Sequence, residues 1–257
     1  MTDRYAVIGN PIAHSKSPLI HAAFAEQTAQ DMSYVAMLAP LDGFAAAVEA
    51  FRADGGKGMN ITVPFKQEAW QLATRLTERA GTAHAVNTFK FDDGVILGDN
   101  TDGAGLVRDI AQNLDFPIAG KRVLLMGAGG AARGVLLPLL AQDPAKLTVA
   151  NRTASKALDL QHQFAVYGQV GVSDYAGLAG EQFDLVVNAT SSSLNDALPP
   201  LPAGVFALGS LAYDMMYGKG LTTFLSFAEG QGAGRLADGL GMLVEQAAES
   251  FYLWRGV

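Results

Sequence analysis

The chain has no cysteine in 257 residues, which excludes disulfides, thiolate metal sites and a cysteine nucleophile. Charge is also sparse, with 17% of residues charged and a net charge of -7. No lysine or arginine cluster tracks a phosphate backbone, so nucleic acid is not an expected partner. Long apolar runs are missing too. The run Val135 to Ala141 contains a proline and falls well short of the ~20 residues a membrane helix requires. The opening residues Met1-Thr2-Asp3-Arg4-Tyr5 lack the basic-then-apolar layout of a secretory signal, and a cytoplasmic protein is expected. What is present is 49% hydrophobic residues, which sets the chain apart from disordered, collagen-like and coiled-coil classes. The length fits one large domain or two modest ones.

The first hundred residues alternate strand-like and helix-like segments: Tyr5–Ile8, a helix from about Pro18 to Thr28, Tyr34–Leu38, a helix near Phe44–Ala53, and Gly58–Thr62. A helix is predicted from Phe65 to about Leu76. Asn87–Phe91 and Val95–Gly98, joined by Asp92-Asp93-Gly94, read as a hairpin with Asp-Gly turn chemistry. A helix-like stretch follows Thr101, and a second series opens at Arg122–Met126. It continues through a glycine turn, a helix, Leu147–Ala150, a helix from about Ser155 to Phe164, and Leu185–Asn188, the order of a doubly wound parallel sheet. Val205–Leu208 and Ala212–Met215 supply later strands. The stretch from Gly239 to Trp254 is apolar at helical spacing, and the pattern leaves open which part of the fold it packs against.

Gly127-Ala128-Gly129-Gly130-Ala131-Ala132 follows a strand and opens a helix. That is the context in which such a motif binds a dinucleotide: the first glycine for a tight turn, the second for backbone approach to a pyrophosphate, and Ala132 at the close-packing position. An NAD site would carry Asp or Glu roughly 20 residues further on. Here Asn151-Arg152-Thr153 stands at the end of the second strand. Arginine pairs with a 2′-phosphate where a carboxylate would repel it, so NADP is the expected cofactor. The bland alternatives are a loop arginine and, at Lys156, a surface charge.

Two polar clusters suggest a substrate pocket. Ser15 and Ser17 precede a helix that starts near Pro18, a position that favours a bound carboxylate, although Ser17 also reads as a simple helix cap. His14 has no evident partner and reads as structural. In Asn60-Ile61-Thr62-Val63-Pro64-Phe65-Lys66, alternation puts Asn60 and Thr62 on one face and turns Ile61 and Val63 into apolar packing. Lys66 on the first turn of a helix is disfavoured by the dipole, which points to a role beyond surface charge. Asn87 and either Asp99 or Asp102 complete the polar set, and the residues alone do not choose between the two aspartates.

These motifs, together with Ala85-Val86-Asn87-Thr88, Asn100-Thr101-Asp102-Gly103, Asn188-Ala189-Thr190-Ser191, Tyr213-Asp214-Met215-Met216-Tyr217 and Gly239-Leu240-Gly241-Met242-Leu243-Val244-Glu245-Gln246, make the chain resemble the shikimate dehydrogenase family nearly end to end. The resemblance implies an α/β fold of two domains. Residues 1–101 and 238–257 would form a mixed α/β substrate domain, 102–237 would form an NADP-binding Rossmann domain, and the active site would lie in the cleft between them. It implies NADP-dependent interconversion of 3-dehydroshikimate and shikimate, and it selects Asp102. Lys66 and Asp102 would be catalytic. Ser15, Ser17, Asn60, Thr62, Asn87, Asp102, Tyr217 and Gln246 would contact substrate. Glu78, Gly127, Ala128, Gly129, Gly130, Ala131, Asn151, Arg152, Thr153, Ala154, Ser155, Lys156, Met215 and Gly239 would contact the cofactor, with no metal. A monomer or homodimer is expected. Ser193, Gly218 and Thr223 depart from the family pattern, which has a frequent glycine at the first position and frequent prolines at the other two. Rival readings are a quinate/shikimate dehydrogenase with relaxed substrate or cofactor choice and a non-catalytic nucleotide-binding regulator. A short-chain dehydrogenase is disfavoured because no tyrosine is followed four residues later by lysine.

Overall fold

Strands Asp3–Gly9 (β1) and Met32–Leu38 (β2), which carry β-branched and aromatic residues, and the glycine-containing strand Gly56–Ile61 (β3) alternate with the alanine-rich helices Ser17–Gln27 (α1) and Phe44–Ala53 (α2). The computed structural model describes residues 2–190 and 198–257. Within these the chain divides into two units, Met1–Gly105 with Leu243–Val257, and Leu106–Met242. The fold is mixed α/β with two sheets, in line with the alternation of the sequence.

In the first unit, β1 runs parallel to both β2 and β3. The chain then makes helix Lys66–Leu72 (α3), the two-residue strand Arg75–Leu76 (β4), helix Glu78–Ala83 (α4), strands Thr88–Asp92 (β5) and Val95–Asp99 (β6), and helix Asp102–Arg108 (α5), whose residues from Leu106 onward belong to the second unit. The sheet order is β2-β1-β3-β5-β6-β4. β5 and β6 form the expected hairpin. Asp93 and Gly94 both have positive φ, at 33° and 84°, the twist-matching geometry that an Asp-Gly turn supplies.

The helix predicted over Phe65–Leu76 is cut short at Leu72. Thr74 is captured by the sheet edge: its N–H donates to the Ile96 carbonyl at 3.0 Å, and its hydroxyl accepts from the Ile96 N–H at 2.8 Å. These non-local bonds outweigh local helix propensity. Thr77 then caps α4 by accepting from the Ala80 N–H.

The second unit contains Arg122–Met126 (β7), Gly130–Leu140 (α6), Lys146–Ala150 (β8), Ala154–Phe164 (α7), Val170–Ser173 (β9), Phe183–Asn188 (β10), Phe206–Asp214 (β11), Thr223–Gly230 (α8) and Arg235–Ala237 (β12). Its order, β12-β11-β10-β7-β8-β9, is parallel throughout and reverses direction between β7 and β10. Alternate residues face opposite layers. Val123, Leu125, Leu185 and Val187 pack with Val135, Leu139, Leu160 and Phe164 of α6 and α7. Leu124, Met126, Val186 and Ala212 pack with Tyr175, Leu178, Phe224 and Leu225. Burial on both faces is the mark of a parallel sheet covered by helices.

The two later strands read from the sequence are one strand, β11. Gly209, at φ 74°, absorbs a register shift against β10 and throws Leu208 into solvent, as a bulge does. The chain ends in helix Leu240–Arg255 (α9), whose residues from Leu243 onward belong to the first unit. Trp254 stacks on Tyr5 at 4.6 Å and donates to the Phe89 carbonyl at 2.9 Å. Gly58 must be small, since a Cβ there would sit 2.6 Å from the indole nitrogen. Among the described residues no helix is long and apolar enough to cross a membrane.

His21 lies fully buried in this aromatic cluster, stacked on Tyr34 at 4.2 Å, with Phe251 and Trp254 beside it. Neither ring nitrogen has a hydrogen-bonding partner. Burial, offset only in part by the nearby Asn60 side chain, holds its pKa down to about 3. As pH falls below the ordinary histidine value the unfolded chain takes up a proton that the folded chain refuses. Stability is therefore expected to decline by ~1.4 kcal/mol per pH unit from about 6.5 down to about 3. Urea unfolding at about pH 4 and about pH 7 should show a smaller pH effect in His21→Phe than in the wild type. Equal pH dependence would show that His21 takes up its proton within the fold.

Candidate active site

Lys66 begins α3 and Asp102 begins α5. Lys66 Nζ donates to Asp102 Oδ2 at 2.5 Å, with the side chains only 16% and 6% exposed. The other carboxylate oxygen accepts from Asn87 Nδ2 at 2.8 Å, and the Asp102 N–H donates to Asn100 Oδ1 at 3.1 Å. Asn87 is itself held on both ends: its carbonyl accepts from the Thr101 N–H at 2.9 Å, and its amide contacts Thr101 Oγ1 and Gln246 Oε1. Gln246 projects from α9 and donates to the Leu243 carbonyl. Lys66, Asp102, Asn87 and Gln246 thus form one connected, buried group.

Asn60, at the end of β3, joins this group through Thr88 and Ser250, both hydroxyls within 3.1 Å of its amide nitrogen. Ser250 also meets Thr101 at 3.2 Å. Ser17 is buried, but it is the first residue of α1 and not its cap. The Ser15 hydroxyl accepts from the Ser17 N–H at 3.3 Å, and the cap position itself, Lys16, makes no side-chain cap bond. Thr62 lies just beyond the strand and is half-buried, while Val63 is 45% exposed. The expected alternation therefore fails at Val63, because β3 ends at Ile61 and the chain turns into α3. His14 is exposed.

The two aspartates differ in their partners. Asp99 is buried and gripped by Arg79 through two bonds of 2.6 and 2.7 Å, with the Thr77 hydroxyl at 2.6 Å. Burial alone would raise its carboxyl, but Arg79, Thr77 and the Asn100 N–H together bring it below the usual carboxylate range. Its acceptor capacity is used by the scaffold, whereas Asp102 faces Lys66.

In the second unit, the glycine turn sits at the carboxyl end of β7, beside the point where the strand order reverses. Ligands of open parallel sheets collect at such a place. Gly127 has φ 105°, and a Cβ there would lie 3.1 Å from the Ala189 carbonyl oxygen. Gly129 precedes α6, and a Cβ added to it would meet no atom within 4 Å. The helix start therefore has open space and no side-chain cap, which suits a bound anion. Ala132 is buried against the core and takes the close-packing role.

At the end of β8, Asn151 donates to the Thr153 carbonyl at 2.9 Å. Arg152, Thr153, Ala154, Ser155 and Lys156 are exposed around the start of α7. Arg152 has no ion-pair partner among the described residues. After β11, the Met215 N–H donates to the Asn188 carbonyl, and the Gly239 N–H donates to the Met216 carbonyl, both at 3.0 Å. A Cβ on Gly239 would fall 2.2 Å from the Met215 carbonyl oxygen, so only glycine fits. Tyr217 follows, half-buried, in this unit. Glu78, exposed at the first position of α4, belongs to the first unit.

Sequence reasoning passed over the residues that hold these groups in place. Asp214, fully buried, accepts from Asn188 Nδ2, the Met216 N–H and the Thr222 hydroxyl. It links the ends of β10 and β11. Thr101, Ser250 and Tyr34 do similar work in the first unit. Only the spacing of Gln246 and Ser250, one helical turn apart, could have signalled any of them. Of the departures noted above, Thr223 is the first residue of α8 behind the Thr222 cap, a position where proline and threonine are both tolerated. Gly218 is exposed with open space around it. Ser191 and Ser193 lie outside the described residues.

A doubly wound sheet with a glycine turn at its switch point, in one chain with a mixed-sheet unit carrying a buried lysine–carboxylate pair, defines a two-unit dehydrogenase of the dinucleotide-dependent type. Residues 7–89 match the shikimate dehydrogenase substrate binding domain, 109–195 match shikimate / quinate 5-dehydrogenase, and 239–257 match the shikimate 5′-dehydrogenase C-terminal domain. A shikimate dehydrogenase (NADP(+)) of Nitrosospira multiformis is 67% identical over all of this chain and 94% of its own. The crystal structure of an Ael1 enzyme from Pseudomonas putida, 56% identical, superposes with a TM-score of 0.91 over 100% of this chain and 94% of that one. The shikimate 5-dehydrogenase of Thermus thermophilus, solved with NADP(H) and shikimate, is 32% identical with a TM-score of 0.87 over 100% and 94%. The chain belongs to the shikimate dehydrogenase family.

Proposed function

We infer that this chain interconverts 3-dehydroshikimate and shikimate with NADP, as a step toward chorismate and the aromatic amino acids. The observation that carries the reading is the buried Lys66–Asp102 pair, tied through Asn87 to Gln246. In this reading the first unit is the substrate domain and the second the NADP domain, in a cytoplasmic monomer or homodimer.

Shikimate carries a carboxylate and three hydroxyls, and a pocket of amide and hydroxyl side chains recognises such a molecule by fixed donors and acceptors. Ser15 and Ser17 are assigned to the carboxylate, and Asn60, Thr62, Asn87, Asp102 and Gln246 to the hydroxyls. Tyr217, the remaining substrate contact, belongs to the second unit. An ammonium has three N–H donors, and Lys66 has one of them on Asp102. The others are available to the substrate carbonyl oxygen. In the reducing direction Lys66 hydrogen-bonds that oxygen, stabilises the negative charge that develops on it, and delivers the proton. Asp102 keeps the ammonium aimed, and Asn87 keeps Asp102 from rotating away. In the oxidising direction the steps reverse: Lys66, as the neutral amine, takes the hydroxyl proton and becomes the ammonium again, with Asp102 holding it in place.

The second unit fits NADP. Gly127, Ala128, Gly129, Gly130 and Ala131 offer an open helix start for the pyrophosphate. The run Asn151, Arg152, Thr153, Ala154, Ser155, Lys156 has no carboxylate to repel a 2′-phosphate. Met215 and Gly239 are assigned to the nicotinamide side, and Glu78 is the further cofactor contact. When bound, NADP supplies or removes the hydride at the carbinol carbon.

The test crosses shikimate and quinate against NADP and NAD in a nicotinamide absorbance assay. Turnover confined to shikimate with NADP is expected. Comparable rates with quinate or NAD would move the chain to the relaxed reading, and silence in all four would overturn the enzyme. Lys66→Ala is expected to lose ~100-fold or more in kcat with little change in KM for shikimate, and near-normal turnover would remove Lys66 from the chemistry. Arg152→Ala is expected to raise KM for NADP by about tenfold or more, the scale of one charge-assisted phosphate contact, while KM for shikimate stays put. An unchanged KM for NADP would place the 2′-phosphate elsewhere.

A further inference from the structure

Asn60, assigned above to a substrate hydroxyl, has an amide whose two ends are set by different neighbours. Its nitrogen faces Ser250 Oγ at 3.0 Å, Thr88 Oγ1 at 3.1 Å and the Asn87 carbonyl oxygen at 3.3 Å. Both N–H groups are therefore engaged inside the protein. Its carbonyl oxygen accepts from the Tyr34 hydroxyl at 2.6 Å. A side-chain carbonyl accepts two hydrogen bonds, so with Tyr34 on one lone pair Asn60 has at most one left for a ligand, and buried His21 also lies near this side chain. In this orientation Asn60 recognises a ligand hydroxyl only as a donor.

Orientation matters because the Thr88 and Ser250 hydroxyls donate or accept with equal ease and would tolerate a flipped amide. The Asn87 carbonyl only accepts, so it decides which end of the amide is nitrogen, and the Tyr34 hydroxyl, the shortest contact, anchors the oxygen end by donating to it. Tyr34 sits on β2 in register with Tyr5 of β1, and its ring lies nearly parallel to His21, 13° off at 4.2 Å. The ring is thus fixed by packing before its hydroxyl is considered. Burial pushes the phenol well above its ordinary range, with the neighbouring Ser17 hydroxyl opposing the rise, and the group remains a donor. The same hydroxyl therefore stands between Ser17 and Asn60, two side chains assigned to different ends of the substrate.

We propose that Tyr34 is a positioning residue for substrate recognition, its hydroxyl locking the Asn60 amide with the carbonyl presented to a ring hydroxyl of the substrate. This rests on the shikimate reading above. Tyr34→Phe keeps the ring and its stack on His21 and removes the hydroxyl alone. It is expected to raise KM for shikimate about tenfold, the effect of one oriented hydrogen bond, with kcat falling less, KM for NADP unchanged and Tm nearly so. In an Asn60→Ala background the same change should add less than about twofold, since no amide remains to be oriented.

Substrate analogues give a measurement free of any folding concern. With wild-type protein, replacing one of the two non-reacting ring hydroxyls by fluorine, which accepts but does not donate, is expected to cost about tenfold in kcat/KM at one position. That penalty should shrink in Tyr34→Phe. Three results would overturn the inference: an unchanged KM for shikimate in Tyr34→Phe, full additivity with Asn60→Ala, or no penalty from either fluorinated analogue. A rise in both KM values together with a lowered Tm would mark Tyr34 as merely structural. Wild-type protein that does not turn over shikimate would overturn the functional reading and this inference with it.

Discussion

The first unit depends on the satisfaction of one buried amide, that of Asn87. With 2% of its surface exposed, it must find partners for both ends within the protein, because an unpaired amide in such a place costs a few kcal/mol. It finds them on Thr101, Asp102 and Gln246. These come from the loop before α5, from α5 itself and from α9, and so a single side chain sets the mutual placement of three chain segments. The Lys66–Asp102 pair inherits its geometry from this arrangement. Asp102 cannot rotate without giving up its bond from Asn87, and Lys66 is held where Asp102 points.

The constraint in the second unit is backbone approach. Two glycines there are set by what lies close to them: Gly127 by its positive φ and the Ala189 carbonyl, and Gly239 by the Met215 carbonyl 2.2 Å from any Cβ. Gly129 is the opposite case, with empty space where a side chain would be. Crowding at the first two positions fixes the turn and the loop after β11. The vacancy at the third exposes the N–H groups of α6. Buried Asp214 adds rigidity where it is needed, since it binds the Asn188 amide, the Met216 N–H and the Thr222 hydroxyl together at the carboxyl ends of β10 and β11.

What could be read from the sequence follows from how local each determinant is. The Asp93-Gly94 turn and the strand–glycine–helix series at residues 122–140 are encoded in adjacent residues, and both are found as expected. β4, β9 and β12 are two to four residues long. They exist because a neighbouring strand offers them a ladder, and their own composition gives no alternation to detect. The bulge at Gly209 is likewise a matter of pairing with β10, so β11 looked like two strands. The candidate site divides in the same way. Asn60, Lys66, Asn87 and Asp102 stand out as polar residues at strand ends and helix starts. Ser250, 190 residues from Asn60, and Tyr34, on a half-exposed edge strand, carry no local mark at all.

The two aspartates in Gly98–Gly103 show why residue type alone does not separate a closed ion pair from one with donors to spare. Arg79 meets Asp99 with two nearly parallel bonds, Nε to one oxygen and Nη2 to the other. A guanidinium fork of this kind uses both carboxylate oxygens and leaves the pair closed. Lys66 meets Asp102 through a single contact at one oxygen, while Asn87 takes the second. The ammonium thereby keeps donors that the protein does not use. A lysine in a mostly buried position, with its direction fixed and part of its hydrogen-bonding capacity unspent, is suited to meet an oxygen that gains charge during a reaction. Exchanging the cations between the two sites would reverse their characters: the fork would close Asp102, and a point charge would leave Asp99 half-satisfied at the junction of β6 and α4. The fold thus places the saturating cation where it makes a joint and leaves the unsaturated one at Asp102.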